Sequence, residues 1–345
     1  MVWKIFTMDG QRSALSVFTT ILTTASSRLS SSTEKSCTAE LIANTKNVLG
    51  ECIIYDDKAN RVVWTDIYGK TFNSLCLDTL VIYTHPLHKQ LSAFGLLSNE
   101  SEQGAYLCAW EDGFQLYDII NDKPISGMSV GECVTPLGKP TRLNDGRCDR
   151  TGKRFICGGF YGDVKGNTMK VFKCEYDEAN KQLSHCELDS VKMPDLEVTN
   201  STCFSPDGRI MYFANSPEQI IYAYTYDSVN GRCSEKKEIW KASVGVPDGS
   251  CVDADGFIWN AVWRDGYGPG MVNRIDPSNG EVVYTIYLPD GTSQVSCCCF
   301  GGRNLDILFI STAAVGRDSE KEPNAGGVYA VKLPFIGLPE SRFIV

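Results

Sequence analysis

Glu51, Asn144, Asn200 and Asp248 each stand five positions ahead of a similar turn, beginning at Asp56, Asp149, Ser205 and Asp253. Each turn leads into alternating apolar residues. One polar position recurring at a fixed offset in a repeated unit occupies equivalent points of the fold. If the units close into a ring, those side chains converge on its axis. Two acids and two amides meeting there offer only oxygen donors, the chemistry of a hard-cation site.

The elements that must position them are also repeated. From Glu51 onward a period of roughly fifty residues is visible. Each unit has an apolar strand, a turn with Asp, Gly or Asn, a second strand, and a closing pattern of the type Ile/Val-x-x-aromatic-x-x-Asp. The clearest copies are Phe204-Ser-Pro-Asp-Gly208 followed by Ile221 to Asp227, and Val252-Asp-Ala-Asp-Gly256 followed by Val272 to Asp276. Others start near Ile54, Cys148 and Phe300, and a degenerate copy, with Glu111-Asp-Gly113 as its turn, covers residues 105–122. Alternating strands joined by Asp-Gly or Asn-Gly bends predict antiparallel hairpins. No sustained helical period competes with them. Six short units in series, each unable to bury both faces alone, predict an all-β six-bladed β-propeller of four-stranded blades. A β-sandwich would not account for the constant spacing. The expected organisation is a possible leader or tail over residues 1–38 and a single propeller domain over 39–345.

Composition narrows the function. Of 345 residues 43% are hydrophobic, enough for a large core, and the net charge of −9 argues against a nucleic-acid partner. Fifteen cysteines are an odd number without disulfide-like spacing, and only three histidines could complete a zinc site. Buried free thiols in a reducing, cytoplasmic setting are expected. No apolar run reaches membrane-spanning length. The first 38 or so residues are rich in Ser and Thr and poor in acids, which fits either an organelle-targeting leader or a tail.

The chain resembles the SMP-30/regucalcin/gluconolactonase family over roughly residues 49–331. The resemblance rests on Leu49-Gly-Glu51, Arg142-Leu-Asn144-Asp-Gly146, Asn200 ahead of Ser205-Pro-Asp-Gly208, Val246-Pro-Asp248-Gly-Ser-Cys-Val-Asp253, and Ser296-Cys-Cys-Cys-Phe-Gly-Gly302. It implies a propeller that binds one divalent cation and opens small-molecule sugar lactones. By that resemblance Glu51, Asn200 and Asp248 are the metal ligands, and Arg142, Asn144 and Asp163 contact substrate. The cation expected is Ca²⁺, with Zn²⁺, Mg²⁺ or Mn²⁺ able to substitute. Asp248 is the expected general base, and a bound dication would polarise the lactone carbonyl and acidify its own water. Asn144 can also reach toward the cation, and Arg142 can instead pair with Asp145. Two neighbours depart from the family's usual pattern: Cys52-Ile53 where Gly-Pro is common, and Ser201 where Gly is common.

Other signals are weaker. Gly127-Met-Ser129-Val-Gly131 has the GxSxG spacing of a nucleophile elbow, but it sits among β-repeats, so a turn is expected. His85-Pro-Leu-His88 is read as a surface loop, and Trp64, Trp110, Trp259 and Trp263 as packing between blades. Two alternatives to the lactonase remain: a non-catalytic calcium-binding protein that kept the metal site, and a phosphotriesterase-like hydrolase on the same propeller.

Overall fold

The computed structural model describes residues 35–99, 104–129, 141–161, 169–190, 193, 196–289 and 292–345. Apart from 3-10 helix at Ser216–Glu218 and at Pro289, all regular structure in them is strand. In chain order, β1 (Ser36–Thr38) and β2 (Glu40–Ala43) precede a first blade of β3 (Gly50–Asp56), β4 (Arg61–Asp66), β5 (Thr71–Cys76) and β6 (Ile82–Pro86). The second blade is β7 (Leu91–Leu96), β8 (Ala105–Trp110), β9 (Gly113–Asp118) and β10 (Lys123–Ser129). The third is β11 (Thr141–Cys148), β12 (Arg154–Tyr161), β13 (Val171–Asp177) and β14 (Gln182–Glu187). After β15 (Asp189–Ser190) the fourth follows as β16 (Thr199–Phe204), β17 (Ile210–Asn215), β18 (Ile220–Asp227) and β19 (Arg232–Lys241). The fifth is β20 (Val246–Val252), β21 (Ile258–Trp263), β22 (Met271–Ile275) and β23 (Val282–Tyr287), and the sixth has β24 (Val295–Gly301), β25 (Ile307–Thr312) and β26 (Val328–Lys332).

Each blade is an antiparallel meander, and the six are the blades of a six-bladed β-propeller. The sixth gains its fourth strand from β2, which pairs antiparallel with β26. The fifth and fourth carry an extra parallel edge strand, β1 on β23 and β15 on β19. Residues 36–38, placed by sequence with the leader, are therefore in a sheet; residues 1–34 lie outside those described.

The blades fall into two compact units. One comprises the described residues up to Pro86 with Asp248–Pro339, and the other Leu87–Pro247 with Glu340–Val345. In the first unit, β3 packs on β24; in the second, β11 packs on both β7 and β16. The adjacent cysteines of β24 show how the cores are built. Successive strand residues point to opposite faces. Cys297 and Cys299 thus pack with Tyr55, Trp64 and Phe309, whereas Cys298 packs with Trp259, Ile310 and Tyr329. None of the fourteen described cysteines is in a disulfide, and eleven are buried. Trp64, Trp110 and Trp259 are fully buried, whereas Trp263 is only partly so and bonds Asp265.

The turn acids bind the blade to itself. Asp253 is wholly buried; Oδ1 accepts the Asp255 and Phe257 amides at 3.0 and 2.9 Å, and Oδ2 accepts Trp259 Nε1 at 2.9 Å and Arg274 Nε at 2.8 Å. Asp149, also without exposed surface, accepts the Tyr226 hydroxyl at 2.9 Å and faces Arg154 at 3.7 Å. Burial, with Asp149 adding to it, pushes the Tyr226 phenol far above its ordinary range and keeps it a donor. Third strands end in a second recurring bend, where Asp118, Asp177 and Asp227 bond the backbone and side chain of Asn121, Asn180 and Asn230.

Two readings need adjustment. In the degenerate copy the Glu111-Asp-Gly113 bend joins the second and third strands, not the first and second. The first strand is β7, and its own connection to β8 lacks an Asp-Gly signal. His85 lies in the outer strand β6 opposite Phe72, not in a loop. The GxSxG stretch falls partly outside the described residues.

Candidate metal and substrate site

Glu51, Asn200 and Asp248 are the second or third residue of β3, β16 and β20, and Arg142 and Asn144 the second and fourth of β11. All five therefore sit near the start of a blade's first strand. Asp163 lies outside the described residues. A register shift follows in three of these strands, between Glu51 and Ile54, Leu143 and Gly146, and Asn200 and Cys203. Such bulges re-aim side chains. Cys52 and Ser201, the two departures from the family pattern, occupy the bulges with φ of 47° and 59°. That left-handed conformation is one glycine adopts without strain.

In the second unit the structure brings Arg142, Asn144 and Asn200 together. All three are buried. An Arg142 Nη1 hydrogen donates to Asn144 Oδ1, and the guanidinium lies 4.6 Å over the Phe160 ring. Asn144 Nδ2 donates to the Thr199 carbonyl at 2.8 Å and to Asn200 Oδ1 at 3.1 Å. Asn200 Nδ2 donates to Ser216 Oγ at 2.9 Å, and that hydroxyl donates to the Pro247 carbonyl at 2.7 Å. Hydrogen bonds thus run from the arginine through both amides to the residue that precedes Asp248 in the chain. They fix which way each amide faces, and one lone pair of the Asn200 oxygen is left for a further partner. Asp145 is engaged elsewhere, accepting the Thr202 amide at 2.7 Å.

In the first unit, Asp248 is buried and its carbonyl accepts Asn260 Nδ2 at 3.1 Å. Gly249 lets β20 approach β24, since a Cβ there would lie 2.6 Å from Cys297 Sγ. Glu51 is partly buried, with Oε2 facing the Cys52 amide at 3.2 Å. Asp66, at the end of β4, aims the entry to β3 by accepting the Val48 and Leu49 amides at 2.8 and 2.9 Å and the Gly69 amide at 2.9 Å. Asn215 does the same in the second unit, accepting the Glu197 and Val198 amides ahead of Asn200 at 3.0 and 3.2 Å. Sequence reasoning missed Asp66, Asn215 and Ser216. The first two had a signal: each stands ten positions beyond the start of its unit's turn, Asp56 or Ser205. Ser216 had none.

Residues 49–314 match the family model described as SMP-30/gluconolactonase/LRE-like region. The chain belongs to this family. It is 27% identical to a regucalcin of Danio rerio over 298 residues, covering 85% of this chain and 93% of that protein. It is 29% identical to an L-arabinolactonase of Azospirillum brasilense over 310 residues, covering 88% and 95%. A solved structure of a calcium-binding regucalcin from Agrobacterium tumefaciens shares the fold, with a TM-score of 0.76, 23% identity, and coverage of 91% of this chain and all of that one. No helix among the described residues is long and apolar enough to cross a membrane.

Proposed function

We propose that this protein is a divalent-metal-dependent hydrolase that opens sugar lactones, with Glu51, Asn200 and Asp248 sharing one cation. The donor set fits the group: two carboxylates and an amide present only oxygen, as Ca²⁺ prefers, and the calcium-binding relative of the same fold supports that choice. When bound, the ion supplies positive charge against a polarised carbonyl. The observation carrying the reading is the hydrogen-bonded line from Arg142 through Asn144 and Asn200 to Ser216 and Pro247. It links the substrate pair to a metal amide and to the backbone that presents Asp248.

Within that reading Arg142 binds the hydroxyl or carbonyl oxygens of the sugar ring with a fixed fork of donors. Asn144 holds that fork through its oxygen. Asp163 is a further substrate contact by the family resemblance. The Asp248 carboxylate takes a proton from the attacking water as its oxygen bonds to the lactone carbonyl carbon. The ring C–O bond then breaks, and the released ring oxygen takes up a proton to give the hydroxy acid. No covalent nucleophile is needed. The L-arabinolactonase relative supports a sugar lactone as substrate.

The test is a panel of sugar lactones assayed after chelator treatment and again with Ca²⁺, Mg²⁺, Zn²⁺ or Mn²⁺. The reading expects activity that returns with metal and is absent in Asp248→Ala. Calcium binding without turnover on any lactone would leave a binding protein, and faster turnover of phosphotriesters would reassign the substrate.

A further inference from the structure

Several arginines in this protein have an acid beside them. Arg61, Arg154, Arg209, Arg274 and Arg303 lie 2.5–3.9 Å from a carboxylate oxygen. Arg264 and Arg317, both partly buried, have no carboxylate within ion-pair distance among the described residues. They lie on two loops of the first unit, residues 264–270 after β21 and 313–327 after β25. Neutral oxygens hold them there. Arg264 Nη1 donates to the Pro269 carbonyl at 3.1 Å; Arg317 donates to the Val315 and Asp265 carbonyls at 3.3 and 2.8 Å and to Ser293 Oγ at 3.4 Å.

The loops are built around these charges. Gly268 makes room for the Arg264 guanidinium, since a Cβ there would lie 2.8–2.9 Å from its atoms. Tyr267, about half exposed, has Arg317 and Lys321 each 5.0 Å from its ring centre. Of the acids on these loops, Asp265 accepts the Trp263 indole at 3.0 Å, Asp318 accepts the Glu320 amide at 3.0 Å and faces Lys321, and Glu322 is buried away from both guanidiniums with neither carboxylate oxygen hydrogen-bonded among the described residues. Open space adjoins both loops, because a side chain at Gly266 or Gly316 would meet nothing within 4 Å. The position is also telling. Leu49, two residues before Glu51, bridges Ala313 at the root of one loop. The other follows β21, whose Asn260 bonds the Asp248 carbonyl. Both loops therefore stand at the Glu51 and Asp248 end of their blades.

We infer that Arg264 and Arg317, backed by Lys321 and Tyr267, form an anion subsite that takes the terminal acidic group of an anionic sugar lactone. This rests on the lactone-hydrolase reading for the reacting end and adds the substrate class. Two partly buried guanidiniums with no acid in ion-pair distance among the described residues gain most from a ligand that brings one.

Three lactones differing only in their terminal group (hydroxymethyl, carboxylate or phosphate ester) test it. Wild type should show kcat/KM at least about tenfold higher for an anionic lactone than for the neutral one, the scale of one charge-assisted hydrogen bond. Arg264→Gln and Arg317→Gln should each lower that ratio toward one, Arg317→Lys should restore part of it, and Arg209→Gln should leave it unchanged. Whichever anionic lactone is preferred names the acidic group. A wild-type ratio near one, or a ratio kept in both glutamine variants, overturns the inference. If none of the three lactones is opened, the reaction reading fails separately. The subsite is then decided by calorimetry with inorganic phosphate and sulfate: binding lost in both glutamine variants supports it, and no binding, or binding unchanged by them, overturns it.

Discussion

The two ends of one strand, five residues apart, use oxygen-bearing side chains in different ways. At the turn end, Asp253 spends its carboxylate on four donors of its own blade, and Asp149 is held by Tyr226 and Thr151. These acids are fasteners. At the other end the backbone is bulged, and Asp66 and Asn215 clamp the chain as it enters the strand. There the structure orients Asn144 and Asn200 by their nitrogens, leaving oxygen capacity over. The difference teaches that a buried acid in a repeat is informative only once its donors are counted. Asp253 and Asp248 look alike in composition and burial, but the four donors on Asp253 come from its own blade, which assigns that acid to the fold.

The comparison breaks most visibly if the two ends respond alike to mutation. Asp248→Ala should lower lactone turnover on the order of 10³-fold while the protein stays folded, as judged by kcat on material of native circular dichroism. Asp253→Ala should do the opposite. It removes four buried hydrogen bonds, leaves the buried Arg274 with only the exposed Asp255 as partner, and should cost about 3–5 kcal/mol in a urea unfolding experiment, with turnover per folded molecule retained. Equal losses of both properties in both variants would end the distinction.

The clamps sharpen it. Asp66→Ala leaves three backbone amides without their acceptor and should cost about 2–3 kcal/mol, and Asn215→Ala, with two neutral bonds to lose, about 1–2 kcal/mol. Each should also weaken metal binding, which tracks how firmly Glu51 or Asn200 is aimed.

A third region serves as a control. Burial lowers the pKa of His85 and His185, on the outer strands β6 and β14, below the ordinary 6.5. The fold favours their neutral rings, so the stability they contribute is full above about pH 6.5 and is lost as pH falls from there toward the folded-state values. Urea midpoints should drop on acidification through that window, and the drop should shrink in a His85→Gln/His185→Gln double variant. The smallest effect belongs to the bulge. Ser201→Gly removes a side chain from a left-handed residue and should raise stability by about 1 kcal/mol, whereas a loss would show that the serine is needed there.

Much of this was legible in the sequence, for physical reasons. Alternation and Asp-Gly bends are local, so strands and most hairpins could be read directly, and the constant offset located the polar positions on the first strands. The second blade was misphased because its first bend lacks the Asp-Gly pair and its second has one. The extra edge strands β1 and β15 are short and pair with strands far away in sequence, which no local pattern reveals. Ser216 was invisible for the same reason, since its partners Asn200 and Pro247 lie sixteen and thirty-one residues away. The substitutions at Cys52 and Ser201 were visible, but their meaning needed the backbone angles.

Calorimetric titration of Ca²⁺ into chelator-stripped protein, with wild type beside Glu51→Gln, Asn200→Ala and Asp248→Asn, tests the central claim most directly. One ion per chain in wild type, with affinity sharply reduced in each of the three variants, is the predicted result. Undiminished binding in any one of them, or none in wild type, would contradict a cation shared by these side chains.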